Sequence, residues 1–151
     1  MAVDFKMLLA RNPSDAKRPP TLPAGTYYGV ITAFKFQESK WDNQDTGDKD
    51  AQVRYTIKNL EPGEDIQATP QLLEGIDLAK RQTQADLPLS GGNEYVTKMF
   101  LESLGITAAS WGEACPEAQG KAVMFDGVQR MNKNDPSAPF FDVRNLRARP
   151  A

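Results

Sequence analysis

A chain of 151 residues, 40 % apolar and 25 % charged, has the make-up of one globular domain able to bury roughly 68–70 % of its unfolded surface. Its net charge of −2 argues against duplex DNA as a ligand but leaves room for a local basic groove that takes a single strand. Histidine is absent and Cys115 is the one cysteine, which removes the commonest general base, thiolate clusters and any internal disulfide.

Residues 1–22 read as an extended N-terminal arm, and residues 23–151 as a single domain. Within the arm, Asp4 to Ala10 predicts one or two helical turns with Phe5, Leu8 and Leu9 on one side. Asn12-Pro13 stops the helix, and Arg18-Pro19-Pro20 favours an extended, polyproline-like path. The arm has too short an apolar run and too early an acid, Asp4, for a secretory signal. No run of 18 apolar residues is present, so no membrane crossing is expected.

The stretch LPAGTYYGVITAFKFQESK predicts a first strand from about Thr26 to Gln37. Both parities carry apolar bulk: Tyr28, Val30, Phe34 and Phe36 on one, Tyr27, Ile31 and Ala33 on the other. A half-buried strand normally leaves one face polar, so the second face is expected to meet something other than solvent. An acidic loop, WDNQDTGDKD, follows with Trp41 at its base. Asp42, Asp45, Asp48 and Asp50 offer oxygen ligands, but the twelfth residue from Asp42 is Val53 rather than Glu. The calcium-loop pattern therefore fails, and a hairpin tip with no metal is expected.

AQVRYTIKNL predicts a second strand, with Val53, Tyr55 and Ile57 inward and Gln52, Arg54, Thr56 and Lys58 outward. Glu61-Pro62-Gly63-Glu64 ends it as a turn. Pro70 opens a short helical turn, and Lys80 to Leu89 reads as a polar strand that Pro88 pushes to an edge. NEYVTKMFLESL, Asn93 to Leu104, is the principal helix: Val96, Met99, Phe100 and Leu104 share a face, Asn93 is the expected N-cap, and Gly105 the C-terminal cap. A shorter helix, Ser110 to Ala118, is interrupted by Pro116. KAVMFDGVQRM and PFFDVRNLRARP give two closing strands around the turn NKNDPSAP. In the last strand Phe140, Asp142, Arg144 and Leu146 share one parity, and Phe141, Val143, Asn145 and Arg147 the other. A mainly β (α+β) chain with one principal helix suggests a small antiparallel, partly open barrel of the oligonucleotide/oligosaccharide-binding (OB) type.

The succession RPPTLPAGTYYGVITAFKFQESK, LEPGEDI, FLESLGI, GKAVMF and FFDVRNLRA resembles a group of small proteins encoded by tailed bacteriophages. The resemblance runs from about Asp4 to Ala148. Some relatives look like OB-fold single-stranded-DNA-binding proteins, which implies that role in phage replication or recombination, in the host cytoplasm. Phages also use small β-rich proteins as capsid decoration, which implies the alternative of a virion protein contacting capsid or other virion proteins. The chain departs from the group's pattern at Lys80 to Leu89, where relatives tend to carry an aromatic strand.

Single-strand binding needs cations for phosphates and aromatic platforms for bases. The candidates are Lys35, Arg54, Lys58, Arg130, Lys133, Arg144 and Arg147 for phosphates, with Tyr27 and Phe140 for stacking. The competing reading makes the cations a solvated strand face and the aromatics core. Phe5, Leu8, Leu9 and Arg18 of the arm are candidates for docking on a neighbouring subunit, in a homo-oligomer or a virion. Glu61, Glu64 and Asp65 are the nearest thing to paired catalytic carboxylates, but acidic pairs at turns are common. Cys115, beside Pro116, reads as an inert thiol. Neither an enzyme nor a cofactor is expected.

Overall fold

The computed structural model describes residues 5–10, 20–42 and 49–150, with the side chains of Leu8, Lys40, Trp41 and Asp42 outside the description. The expectations placed on Arg18, on Leu8 and Trp41 as side chains, and on the tip of the acidic loop therefore lie outside the described residues. The arm contributes a five-residue helix, α1 (Phe5–Leu9). The barrel consists of β1 (Gly25–Asp42), β2 (Lys49–Pro62), a short α2 (Glu64–Gln67), two 3-10 turns, β3 (Thr83–Pro88), α3 (Glu94–Ser103), α4 (Trp111–Glu117), β4 (Ala122–Arg130) and β5 (Phe140–Ala148). The first hairpin is longer than the sequence pattern indicates: β1 runs to Asp42, and β2 starts at Lys49.

Among the described residues, all five strands form one antiparallel sheet in the order β3-β2-β1-β4-β5. The edges β3 and β5 come within 8 Å of each other, Cα to Cα, without forming a ladder. The sheet is thus curled into a barrel that is not closed, and α3 lies against both edges. A central first strand shared by two ladders, with the main helix inserted between the third and fourth strands, is the OB-like arrangement expected. Pro88 ends the edge strand β3, where a missing N–H breaks no ladder. Pro20 to Leu22 are stitched to the barrel's lower end. Arg81 Nη2 donates to the Pro20 carbonyl (2.7 Å), Thr21 Oγ1 to that of Pro139 (2.8 Å), and Gln129 Nε2 to that of Leu22 (2.9 Å).

The two apolar parities of β1 have a geometric cause inside the fold. Tyr27 and Ile31 face the interior. The β1–β2 register then slips between Ile31 and Ala33, and beyond the slip Phe34 lies opposite Tyr55 and Phe36 opposite Val53. A β-bulge adds one residue to a strand, so the inward parity changes from odd to even. Thr32 and Ala33, at the irregularity, are exposed. Phe34 and Phe36, half of the second apolar set, are therefore on the inner side continued after a register change, Phe34 packed on the core and Phe36 still 45 % exposed, while Tyr28 and Val30 face outward. The expectation that the second set is an outer surface reserved for a partner is corrected for Phe34, which packs on the core and meets Phe36 edge to face at 5.6 Å.

A second bulge corrects the parity of β5. Met124 pairs with Arg147 but Asp126 with Arg144, which leaves an extra residue in β5. Asn145 takes it up in the left-handed region, at φ +53°, and its Nδ2 donates to Asp126 Oδ2 at 2.8 Å. Leu146 thereby turns to pack on the core, and Arg147 joins Arg144 on the outside, the reverse of simple alternation. Asn145→Val should destabilise the fold by about 1–2 kcal/mol, because a β-branched residue tolerates that backbone poorly. Asn145→Gly should be milder in the same urea titration.

The interior is built on Tyr27 stacked against Phe125 (5.7 Å), with Phe141 edge-on to both. Gly127 is required here, since a Cβ at that position would collide with the Phe141 ring. At the other end of the barrel Tyr55 meets Phe100 of α3 and donates its hydroxyl to the Cys115 carbonyl at 2.9 Å. Gly105, at φ +78°, lets the Ile106 N–H turn back to the Leu101 carbonyl, ending α3 as expected. Asn93 occupies the N-cap position of α3 but makes no capping bond with its side chain; instead Glu94 accepts from the Gly92 N–H (3.0 Å), which lowers the Glu94 pKa. Ser110 caps α4 by accepting from the Glu113 N–H, and Pro116 sits within the last turn of α4 rather than dividing it.

Candidate nucleic-acid interface

The register places four of the nine sequence candidates, Arg130, Phe140, Arg144 and Arg147, on the outer face of β4 and β5. From one end to the other that face pairs Arg130 with Phe140, Val128 with Asp142, Asp126 with Arg144, and Met124 with Arg147. Arg149, just past β5, joins it through its N–H to the Ala122 carbonyl. Across β1 the face continues to Tyr28, opposite Met124 and Glu61, and to Val30, opposite Lys58. The β5 part of the track spans about 27 Å at strand rise.

Both ends of this track carry the same small construction. The Arg130 guanidinium lies 4.7 Å over the Phe140 ring and donates to Asp142 at 2.9 Å. The Arg149 guanidinium lies 4.2 Å over the Tyr28 ring and donates to Glu61 at 2.6 Å. In each case an arginine bridges an aromatic face and a carboxylate. The hydrogen bond that Arg130 donates to Asp142 raises the Arg130 pKa further above its usual value, so the cation persists at any working pH. Between the two stacks, Arg147 contacts Asp126 (3.4 Å), whereas Arg144 has no carboxylate partner among the described residues.

The remaining candidates lie elsewhere. Lys35 and Arg54 are opposite each other on the outer face of β1 and β2. Arg54 makes a two-pronged bond to Asp86 of β3, at 2.7 and 2.9 Å, and that bond raises its pKa. Lys133 is exposed in the β4–β5 turn, beyond the end of the track. Lys35, Lys58 and Lys133 have no carboxylate partner among the described residues. Tyr27 does not belong to the surface at all. It is 0 % exposed, its hydroxyl donates to the Pro23 carbonyl at 2.6 Å, and burial, helped by Asp65, pushes its pKa up to about 12. No ring face is left for a base, and the outward aromatic of β1 is its neighbour Tyr28.

Two members of the track, Tyr28 and Arg149, are absent from the sequence candidates. The i, i+2 spacing of Arg147 and Arg149 was the available signal for the second; Tyr28 requires knowing which way the bulged strand faces. A groove of about 800 Å³ runs along the β3–β5 opening under α3, where Tyr95, Val96 and Met99 are exposed, and Arg144 and Arg147 of the track also line it.

Two of the three acidic residues weighed as catalysts have structural duties. Glu61 holds Arg149, and Asp65 accepts from the backbone N–H groups of Thr26 and Ile66. Among the described residues no three His, Cys, Asp or Glu side chains gather as a metal site, and no helix is long and apolar enough to cross a membrane. Cys115 is buried, and burial raises its thiol pKa. A thiol reagent at mildly alkaline pH should therefore label it only at the rate of unfolding, with full labelling in denaturant. Prompt labelling of the native chain would contradict this placement.

These features define a small OB-like barrel protein with a guanidinium- and aromatic-bearing sheet face. No protein-family model and no curated protein matches the chain.

Proposed function

We propose that the chain is a non-enzymatic single-stranded-DNA-binding protein of a tailed bacteriophage, acting in replication or recombination in the host cytoplasm. The observation that carries the binding role is the pair of arginine-on-aromatic stacks, Arg130–Phe140 and Arg149–Tyr28, bracketing Arg144 and Arg147 on one sheet face. Stacked guanidinium and aromatic planes accept bases of any sequence, and the intervening arginines reach phosphates. The phage assignment rests on the motif resemblance from LPAGTYYGV to FFDVRNLRA.

Four of the surface arginines, Arg54, Arg130, Arg147 and Arg149, are already neutralised by carboxylates. Lys35, Lys58, Lys133 and Arg144 would then dominate counterion release. The logarithm of the affinity for a labelled oligothymidylate, followed by fluorescence anisotropy, should fall with the logarithm of salt concentration with a slope of about −2 to −3. Absence of binding at low salt would remove the proposal.

A structural virion protein is the second reading. Phe5 and Leu9, exposed on α1, favour protein contacts over nucleic acid. A mass-spectrometric inventory of purified particles separates the two: stoichiometric amounts in the particle support the virion role, and absence from it removes that role.

A further inference from the structure

We infer that the groove under α3 takes a short extended segment of a partner protein, one in which acidic side chains alternate with large apolar ones. This docking does not depend on the nucleic-acid reading. The groove lies at the opening of the barrel, where β3 and β5 are both sheet edges with a ladder on one side only. Its volume of about 800 Å³ has room for a few side chains and the backbone that carries them. Val96 and Met99 of α3 stand 58 % and 46 % exposed along it, and Leu87 and Leu146 lie deeper, packed on the core. A contiguous apolar strip between a helix and a sheet edge marks a contact surface.

Charge, edge chemistry and the kind of apolar surface together select the occupant. Among the described residues, the charged groups lining the groove are Arg144, Arg147 and Asp86. Asp86 is already held by both prongs of Arg54. Arg144 has no carboxylate partner among the described residues, and Arg147 reaches Asp126 only at 3.4 Å. The rim is therefore short of negative charge, and carboxylates are the groups that guanidinium forks favour. Pro88 lacks an N–H and its carbonyl accepts from Thr97 Oγ1, so the end of β3 offers nothing to a new strand. That leaves β5 as the edge along which an extended segment can lie. Side chains of such a segment alternate in direction, so apolar ones enter the groove while acidic ones meet Arg144 and Arg147 at its rim. Nucleic acid suits the groove less well. The exposed strip is aliphatic, and of the two rings lining it Phe100 is buried and Tyr95 has the Lys98 ammonium 5.9 Å from its centre.

The test is fluorescence anisotropy of the full chain with three labelled octapeptides: aspartate alternating with leucine, lysine with leucine, and aspartate with serine. The first should bind, and the other two should bind at least about tenfold more weakly. Arg144→Gln, Met99→Glu and, as a change that adds no charge, Val96→Ser should each weaken binding of the first peptide by about tenfold. Lys121→Gln removes a cation that does not line the groove and should leave binding unchanged. All four positions are exposed, so circular dichroism should show each variant folded. No binding of the aspartate–leucine peptide at about 1 mM, equal binding of the lysine–leucine peptide, or indifference to the groove substitutions overturns the inference. Sedimentation equilibrium and oligothymidylate titration test the rival occupants. Self-association weakened by Val96→Ser would assign the groove to a second copy, and oligothymidylate binding weakened about tenfold by the same change would assign it to nucleic acid. Either result overturns the inference.

Discussion

Replacing Lys58 and Arg144 together by glutamine should weaken oligothymidylate binding by about a hundredfold at about 20 mM salt, and reduce the magnitude of the salt slope by about 1.4. Each is a cation without a carboxylate partner among the described residues, so each is free to displace a counterion from a phosphate. Arg54→Gln is the matched comparison. Its guanidinium is saturated by Asp86, and its loss should change the slope little. Phe140→Ala should act differently from both. It removes a stacking surface, and its effect of about 1–3 kcal/mol should be nearly independent of salt. An equal response to Arg54→Gln and to the Lys58/Arg144 pair would show that the track is not where the phosphates lie.

Tyr27→Ala should lower the unfolding free energy by about 3–5 kcal/mol, while Tyr28→Ala should lower it by far less. Tyr27 is stacked on Phe125, meets the edge of Phe141 and donates its hydroxyl to Pro23. Truncation opens a cavity in the middle of the aromatic cluster. Tyr27→Phe isolates the hydroxyl, and losing that one bond should cost about 1 kcal/mol. Tyr28, one residue on, packs against Arg149 at the surface. Domains of this size are stable by about 5–15 kcal/mol, so the Tyr27→Ala midpoint in urea should shift strongly, with the slope unchanged. Similar losses at both positions would mean that the inward parity of β1 is misassigned.

What the sequence discloses and what it conceals follow from the same period-two rule. In β2, Val53, Tyr55 and Ile57 alternate with polar residues and all three are buried, as the pattern requires. The helix from Glu94 to Ser103 and its glycine stop were equally plain, each having a local chemical signal, whereas residues 64–92 had weak periodicity and only Pro88 pointed to an edge strand there. Alternation fails where a bulge intervenes. The Thr32–Ala33 irregularity carries neither glycine nor proline to announce it, so Tyr27 read as a surface residue and Phe34 as a second face. Asn145 does announce the β5 bulge, since asparagine tolerates positive φ, but asparagine is common enough in strands' flanks to be passed over. The candidate face suffered accordingly. Its cations were readable as strand residues of one kind, but which of them share a side depends on register slips that only the folded chain displays.

Photocrosslinking of the intact protein to a bromodeoxyuridine-substituted single strand, followed by mass-spectrometric mapping of the attached peptides, bears most directly on the proposed binding face. Adducts on the peptides holding Tyr28 and Phe140, lost when Arg144 and Lys58 are substituted, are the predicted result. Adducts confined to α3 and α4, or none in a complex known to have formed, would contradict it.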